Sequence, residues 1–168
     1  MKNNFTKEDI KNSVEYVWRK NTVTWLFVTS TIVAVVMFIA TLIPALTNIR
    51  HFSLAVDIWL SIIAFYTVTL VPFVAFYGYK MSYLLKHFTE FNSYEVMLDY
   101  ISTSYAYRGA IYYTVTINDD GVTSEVNTNP YFSSALFSKF TLEDYNNKKV
   151  VGLYDSKMDK FYIVKKVG

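Results

Sequence analysis

Residues Asn21 to Ile49, NTVTWLFVTSTIVAVVMFIATLIPALTNI, carry no formal charge, and neither do Ile58 to Tyr79, IWLSIIAFYTVTLVPFVAFYGY. These two runs decide the fold class. About 20 apolar residues at 1.5 Å rise cross a hydrocarbon core of roughly 30 Å. The dense part of the first run, Val23 to Leu46, meets that length, and so does the second run. A soluble core helix of this length would show a polar stripe, and neither run has one. The first run is also too long for the apolar stretch of a secretory signal and follows a structured-looking segment, so it is expected to be an uncleaved span.

Only Thr47 to Ser53 separates the two spans, which predicts an antiparallel membrane hairpin with a short connecting loop. Lysine and arginine set its orientation. Lys2, Lys7, Lys11, Arg19 and Lys20 precede the first run and Lys80 and Lys86 follow the second, whereas the loop carries only Arg50, beside His51. The expected location is the cell membrane, multi-pass, with both termini cytoplasmic. Trp18, Trp25, Trp59, Tyr77 and Tyr79 are placed as membrane-interface anchors.

Asp57 is the one acid within this region. On this reading it falls in the first turn of the second span, where the helix N-terminus and Arg50 or His51 could support it. An intramembrane acid is a functional candidate; a structural role, a proton or ion relay and recognition of a partner all stay open. Pro44 and Pro72 are tolerated in spans, and Ser30 with Ala34 makes a small-xxx-small match that recurs often by chance.

Outside the runs the chain is ordinary. Its net charge is +2, which excludes a nucleic-acid reading from bulk electrostatics. There is no cysteine, which excludes disulfides, thiolate metal sites and cysteine nucleophiles. Lysine far outnumbers arginine, and Asn, Ile, Tyr and Phe are abundant, a usage that fits an AT-rich bacterial genome.

Four segments follow. Residues 1–20 form an N-terminal amphipathic cytoplasmic helix: Thr6 is its N-cap, Glu8 and Asp9 suit its first turn, Phe5 and Ile10 make a staple, and Ile10, Val14 and Val17 share a face. Whether it lies on the membrane or on the β domain stays open. Residues 21–79 are the transmembrane hairpin. Residues 80–108 are a helical connector, from Met81, Leu84, Leu85, Phe88 and Phe91 at helical spacing, with a further helical stretch from Tyr94 to Tyr100. Residues 109–168 are a β-rich cytoplasmic domain of about five short strands. Ile111, Tyr113, Val115 and Ile117 alternate toward an Asn118-Asp119-Asp120-Gly121 turn. Val122 to Val126 returns, Tyr131 to Phe140 is a third strand, Thr141 to Tyr145 a helical turn, and Lys149–Tyr154 pairs with Lys160–Val167. The expected fold class is thus a membrane α-helical hairpin plus a small antiparallel β (α+β) cytoplasmic domain.

Three stretches resemble the YcxB-like family of bacterial membrane proteins: Thr6-x-Glu8-Asp9 leading into paired spans, the turn from Val115 to Val122, and Phe140 and Tyr145 followed by Val150-x-Gly152-Leu153-Tyr154 and Phe161-Tyr162-Ile163-Val164. The resemblance implies a two-pass protein whose β domain is PH-like; it implies no activity and no site residues.

No catalytic, cofactor or metal constellation can be assembled. His51 and His87 fall on opposite membrane sides in this topology, so no Ser-His-Asp set forms. His87 has no ligand partner at metal spacing. Asp119, Asp120, Asp155 and Asp159 lack calcium-loop spacing and read as turn residues. The expected protein is not an enzyme and takes no cofactor. Its partners are the lipid bilayer and a membrane or cytoplasmic protein, with no nucleic acid, and a homo-oligomer is left open. The first functional expectation is a non-enzymatic tether that presents the β domain for protein–protein interaction, of immunity or regulatory type. The alternatives are a ligand-responsive effector that oligomerises and perturbs the bilayer, and an accessory subunit of a transporter.

Overall fold

The computed structural model describes residues 4–47, 49–98, 101–104, 110–119, 122–132, 145 and 147–167. They divide into two compact units, Val23–Lys80 and the pair of segments Met1–Thr22 and Met81–Gly168.

The Val23–Lys80 unit is helical throughout its described length. Helix α2 spans Val14–Thr47 and α3 spans Ile49–Phe65. A single π turn, Tyr66–Leu70, then leads into α4, Val71–His87. Proline explains the π turn. Pro72 lacks an N–H and its ring collides with the carbonyl four residues back, so the chain widens by one residue ahead of it. The Val71 N–H accordingly bonds Tyr66 O rather than the residue one closer. The α2–α3 pair is joined by direct contact: Trp59 Nε1–H donates to Thr41 Oγ1 at 2.8 Å, and its ring lies 4.9 Å from that of Phe38. Because these residues lie near the joined ends of two consecutive helices, the pair is antiparallel.

The loop expected from Thr47 to Ser53 is not a loop. Thr47 ends α2 and Ile49 starts α3, and only Asn48 lies outside the described residues. The two helical stretches are long and apolar enough to cross a membrane. Their most apolar 18-residue windows are 0% and 6% buried within the chain, whereas a soluble core helix would be mostly covered.

The other unit starts with α1, Lys7–Lys11. Its cap is the expected one. Asp9 N–H bonds Thr6 Oγ1 at 3.2 Å, and Asp9 Oδ2 accepts from Thr6 N–H at 2.8 Å. One helix was expected here, but it breaks at Asn12. Ser13 then caps the next turn, with Tyr16 N–H donating to Ser13 Oγ at 3.3 Å. The break re-aims α2, so the buried set becomes Ile10, Ser13, Val14, Glu15, Trp18 and Arg19, with Val17 only half-buried.

A short 3₁₀ turn, Phe88–Glu90, ends the helical part of the connector. The helical stretch expected at Tyr94–Tyr100 is instead a strand, β1, Asn92–Leu98, followed by β2, Ile101–Ser104. In β1 the burial alternates at period two, Val96 and Leu98 inward and Glu95 and Met97 outward, but the consecutive Val-Met-Leu hides that period in the sequence. Strand β3, Ala110–Asp119, and β4, Val122–Asn127, form the expected hairpin, with Asp119 opposite Val122. Strand β5 is Tyr131–Phe132; the rest of the Tyr131–Phe140 expectation, and Thr141 to Asp144 of the helical turn, lie outside the described residues. Strands β6, Lys148–Asp155, and β7, Lys160–Lys166, close the unit.

The strands form two antiparallel groups, β1-β6-β7 and β2-β3-β4 with β5 on β3. Thr128 bridges to Phe161 between them. Ile10, Leu84, Phe88, Phe91, Leu153, Tyr162 and Val164 share one core. Helical residues from both flanks thus cover a sheet too small to bury its own face. Gly152 is required there. It sits opposite a bulge in β7, where Val164 is the extra residue, and a Cβ would meet the Phe161 ring and lie 2.6 Å from Tyr162 O.

Candidate functional site

The most demanding chemistry in the β unit is a buried carboxylate that sequence reading missed. Glu15 is 0% exposed. Its Oε1 accepts from Arg19 Nε at 2.6 Å, from Arg19 Nη2, and from Asn129 Nδ2 at 3.1 Å. Its Oε2 accepts from Tyr131 Oη at 2.7 Å. Trp18 packs edge-on against the Tyr131 ring with centroids 5.4 Å apart. Burying a carboxylate is expensive unless it is paired and hydrogen-bonded, and this one is both. Three of these bonds converge on Oε1 and one on Oε2, so the carboxylate is held in place from both sides. It pins the start of α2 to Asn129 and Tyr131.

The same burial acts on the phenols. Desolvation, then the Glu15 charge, holds the Tyr131 hydroxyl well above its usual range. Burial likewise pushes Tyr162 up, with Glu15 and Asp155 adding to it. Both are neutral phenols, not nucleophiles, at ordinary pH. A glutamate in the first turn of an amphipathic helix reads as a solvated, dipole-favoured residue. The only available signal was Arg19 four residues on.

A second polar cluster lies at the surface. His87 Nδ1 and Glu90 Oε1 are 2.8 Å apart, and Lys157 Nζ lies 3.1 Å from Glu90 Oε2. The hydrogen bonds from His87 and Lys157 lower the Glu90 carboxyl below its usual range. Asp155 is a turn residue: its Oδ1 accepts the backbone N–H of Lys157 at 2.9 Å and of Met158 at 3.2 Å, and its Oδ2 accepts from Tyr83 Oη at 3.1 Å. Among the described residues no three His, Asp or Glu side chains converge as a metal site.

In the helical unit, Asp57 is not in a first turn. With α3 starting at Ile49, it lies more than two turns inside, about 12 Å along the axis. The helix N-terminus is too far to support it, since that field fades within one turn. Asp57 lines an open groove between α2 and α3 together with Ser30, Ala34, Met37, Ser61 and Phe65. The anchors expected from sequence divide. Trp25 and Tyr79 are exposed. Trp18 is taken up against Tyr131, Trp59 is engaged with Thr41 and Phe38, and Tyr77 is buried beside Phe73.

The fold and its polar groups define a class: an α+β protein with two apolar helices long enough to span a membrane, a small antiparallel β unit, and no evident catalytic constellation among the described residues. No family model, curated protein or solved structure matches the chain.

Proposed function

We propose that this chain is a non-enzymatic, two-pass bacterial membrane protein that holds its β unit at the cytoplasmic face of the cell membrane to bind another protein, in an immunity or regulatory role. The observation that carries the reading is the outward apolar surface of the helical unit. Ile32, Val33, Val36, Ile39, Ile43 and Leu46 on α2 are each more than half exposed. In water such a surface would drive aggregation; in lipid it is the expected exterior. The engagement of Glu15 in a buried structural pin and the raised phenols favour a binding module over an enzyme. Among the described residues, seven strands in two groups support a PH-like reading of the β unit, and with it kinship to the YcxB-like proteins. Both termini are inside on the lysine and arginine count.

A chain with no cysteine suits single-cysteine topology mapping. Ser53→Cys at the hairpin tip should react with an impermeant maleimide on intact cells, and Ser156→Cys only after permeabilisation. The reverse pattern would invert the topology. Release of the protein by alkaline carbonate would remove the membrane reading altogether. A second reading, an accessory subunit of a larger membrane assembly, is favoured by the depth of Asp57 inside α3.

A further inference from the structure

Asp57 and Arg50 are the only formally charged residues between Lys20 and Lys80. The groove that Asp57 lines is about 560 Å³ and is otherwise apolar apart from Ser30 and Ser61. Neither serine offers Asp57 a hydrogen. Ser61 Oγ donates to the backbone carbonyl of Asp57 at 2.8 Å, and Ser30 Oγ donates to Phe27 O at 3.0 Å. With both hydroxyl hydrogens spent, the groove presents acceptors only: one carboxylate and two hydroxyl oxygens. Among the described residues no side chain pairs with the Asp57 carboxylate.

We propose that this groove docks a transmembrane helix of a different protein that carries a lysine or arginine level with Asp57. The proposal rests on the membrane reading above and names the partner chemistry it needs. On that reading, a carboxylate that faces an apolar groove beside a span is costly unless it is paired. The groove is open between the helices rather than closed around a small molecule, which leaves room for a neighbouring helix. Charge complementarity selects the occupant. A second copy of this chain is a poor match, because its one cationic span residue, Arg50, lies seven residues from Asp57 on the same helix, about 10 Å away in depth. Asp57 therefore marks an assembly site between spans, with the ion pair selecting the partner and the small residues Ser30 and Ala34 admitting its backbone.

The test uses the full chain, labelled with a donor fluorophore at Ser82→Cys and reconstituted in phosphatidylcholine vesicles. Acceptor-labelled leucine–alanine transmembrane peptides are added, each with one lysine moved turn by turn along its length, with an all-leucine control. Energy transfer should exceed the control, peak at one lysine depth, and weaken about fivefold to thirtyfold in affinity for Asp57→Asn. Asp57→Glu should keep the preference. Transfer no better with lysine than with leucine, or unchanged by Asp57→Asn, would overturn the proposal. So would transfer between two labelled copies that Asp57→Asn abolishes, which would assign the groove to self-association. Failure of the membrane reading shows separately, as chain stripped from the vesicles by carbonate before any peptide is added.

Discussion

Tyr131 Oη donates to Glu15 Oε2 at 2.7 Å, joining residues 116 positions apart. Glu15 lies in the first turn of α2, the helix that runs on to Thr47 as the first apolar segment. A buried polar contact of the β unit is therefore made by the same continuous helix that carries the first apolar segment.

Breaking that contact should be costly in a graded way. Glu15→Ala removes the carboxylate that the buried Arg19 pairs with and should destabilise the unit by about 3–5 kcal/mol. Tyr131→Phe removes one donor and should cost about 1–3 kcal/mol. Denaturant unfolding of the detergent-solubilised chain, followed by circular dichroism, measures both. Equal midpoints for the two variants and the parent would show that the pin contributes nothing.

Alkali should unfold the β unit through its phenols. The Tyr131, Tyr162 and Tyr83 hydroxyls are held above the ordinary value of 10.0, chiefly by burial. The folded state then binds those protons more tightly than the unfolded state, so stability is intact below about pH 10 and falls as pH rises beyond it. Near-ultraviolet absorbance should show a group of tyrosines that ionise only as the β signal is lost. Ionisation of all 15 tyrosines in one step before any structural change would contradict this.

At Gly152 a single methyl group should be felt. Gly152→Ala places a Cβ against the Phe161 ring and 2.6 Å from Tyr162 O. The expected cost is about 1–3 kcal/mol. Phe161→Leu in the same chain should recover only part of it, because the backbone carbonyl cannot move away as a side chain can. Full recovery in thermal melts would locate the clash in the ring alone.

The cap of α1 should titrate below the usual carboxylate range. The Thr6 hydroxyl and backbone N–H lower the Asp9 carboxyl from its ordinary 3.8. A depressed folded value means that this cap contributes above about pH 4 and is lost as pH falls through the lowered value. Carboxyl-carbon NMR should report Asp9 below 3.8 in the parent and nearer to it in Thr6→Ala. An Asp9 value unchanged by Thr6→Ala would remove the capping-box explanation.

Legibility followed the range of the interaction that stabilises each part. The β3–β4 hairpin was readable because alternation and an Asp-Gly turn are local signals. The Thr6–Asp9 box was readable because its partners are three residues apart. Strand β1 was not, because Asn92–Leu98 pairs with Tyr154–Lys148 across 50 to 62 positions, while the helical spacing before it ran on through Phe91. The π turn before Pro72 could be placed only from the backbone, since proline signals a disturbance without saying which one.

By itself, the sequence determined two uncharged apolar segments long enough to span a membrane. Their backbone hydrogen bonds close within each helix and need no distant partner. Tertiary structure decided the roles of the acids. Glu15 looked like a solvated first-turn residue until Asn129 and Tyr131 were folded against it. Asp57 looked like a helix-start residue until α3 was found to begin at Ile49. A carboxylate's burial, partners and depth depend on what the rest of the chain brings to it.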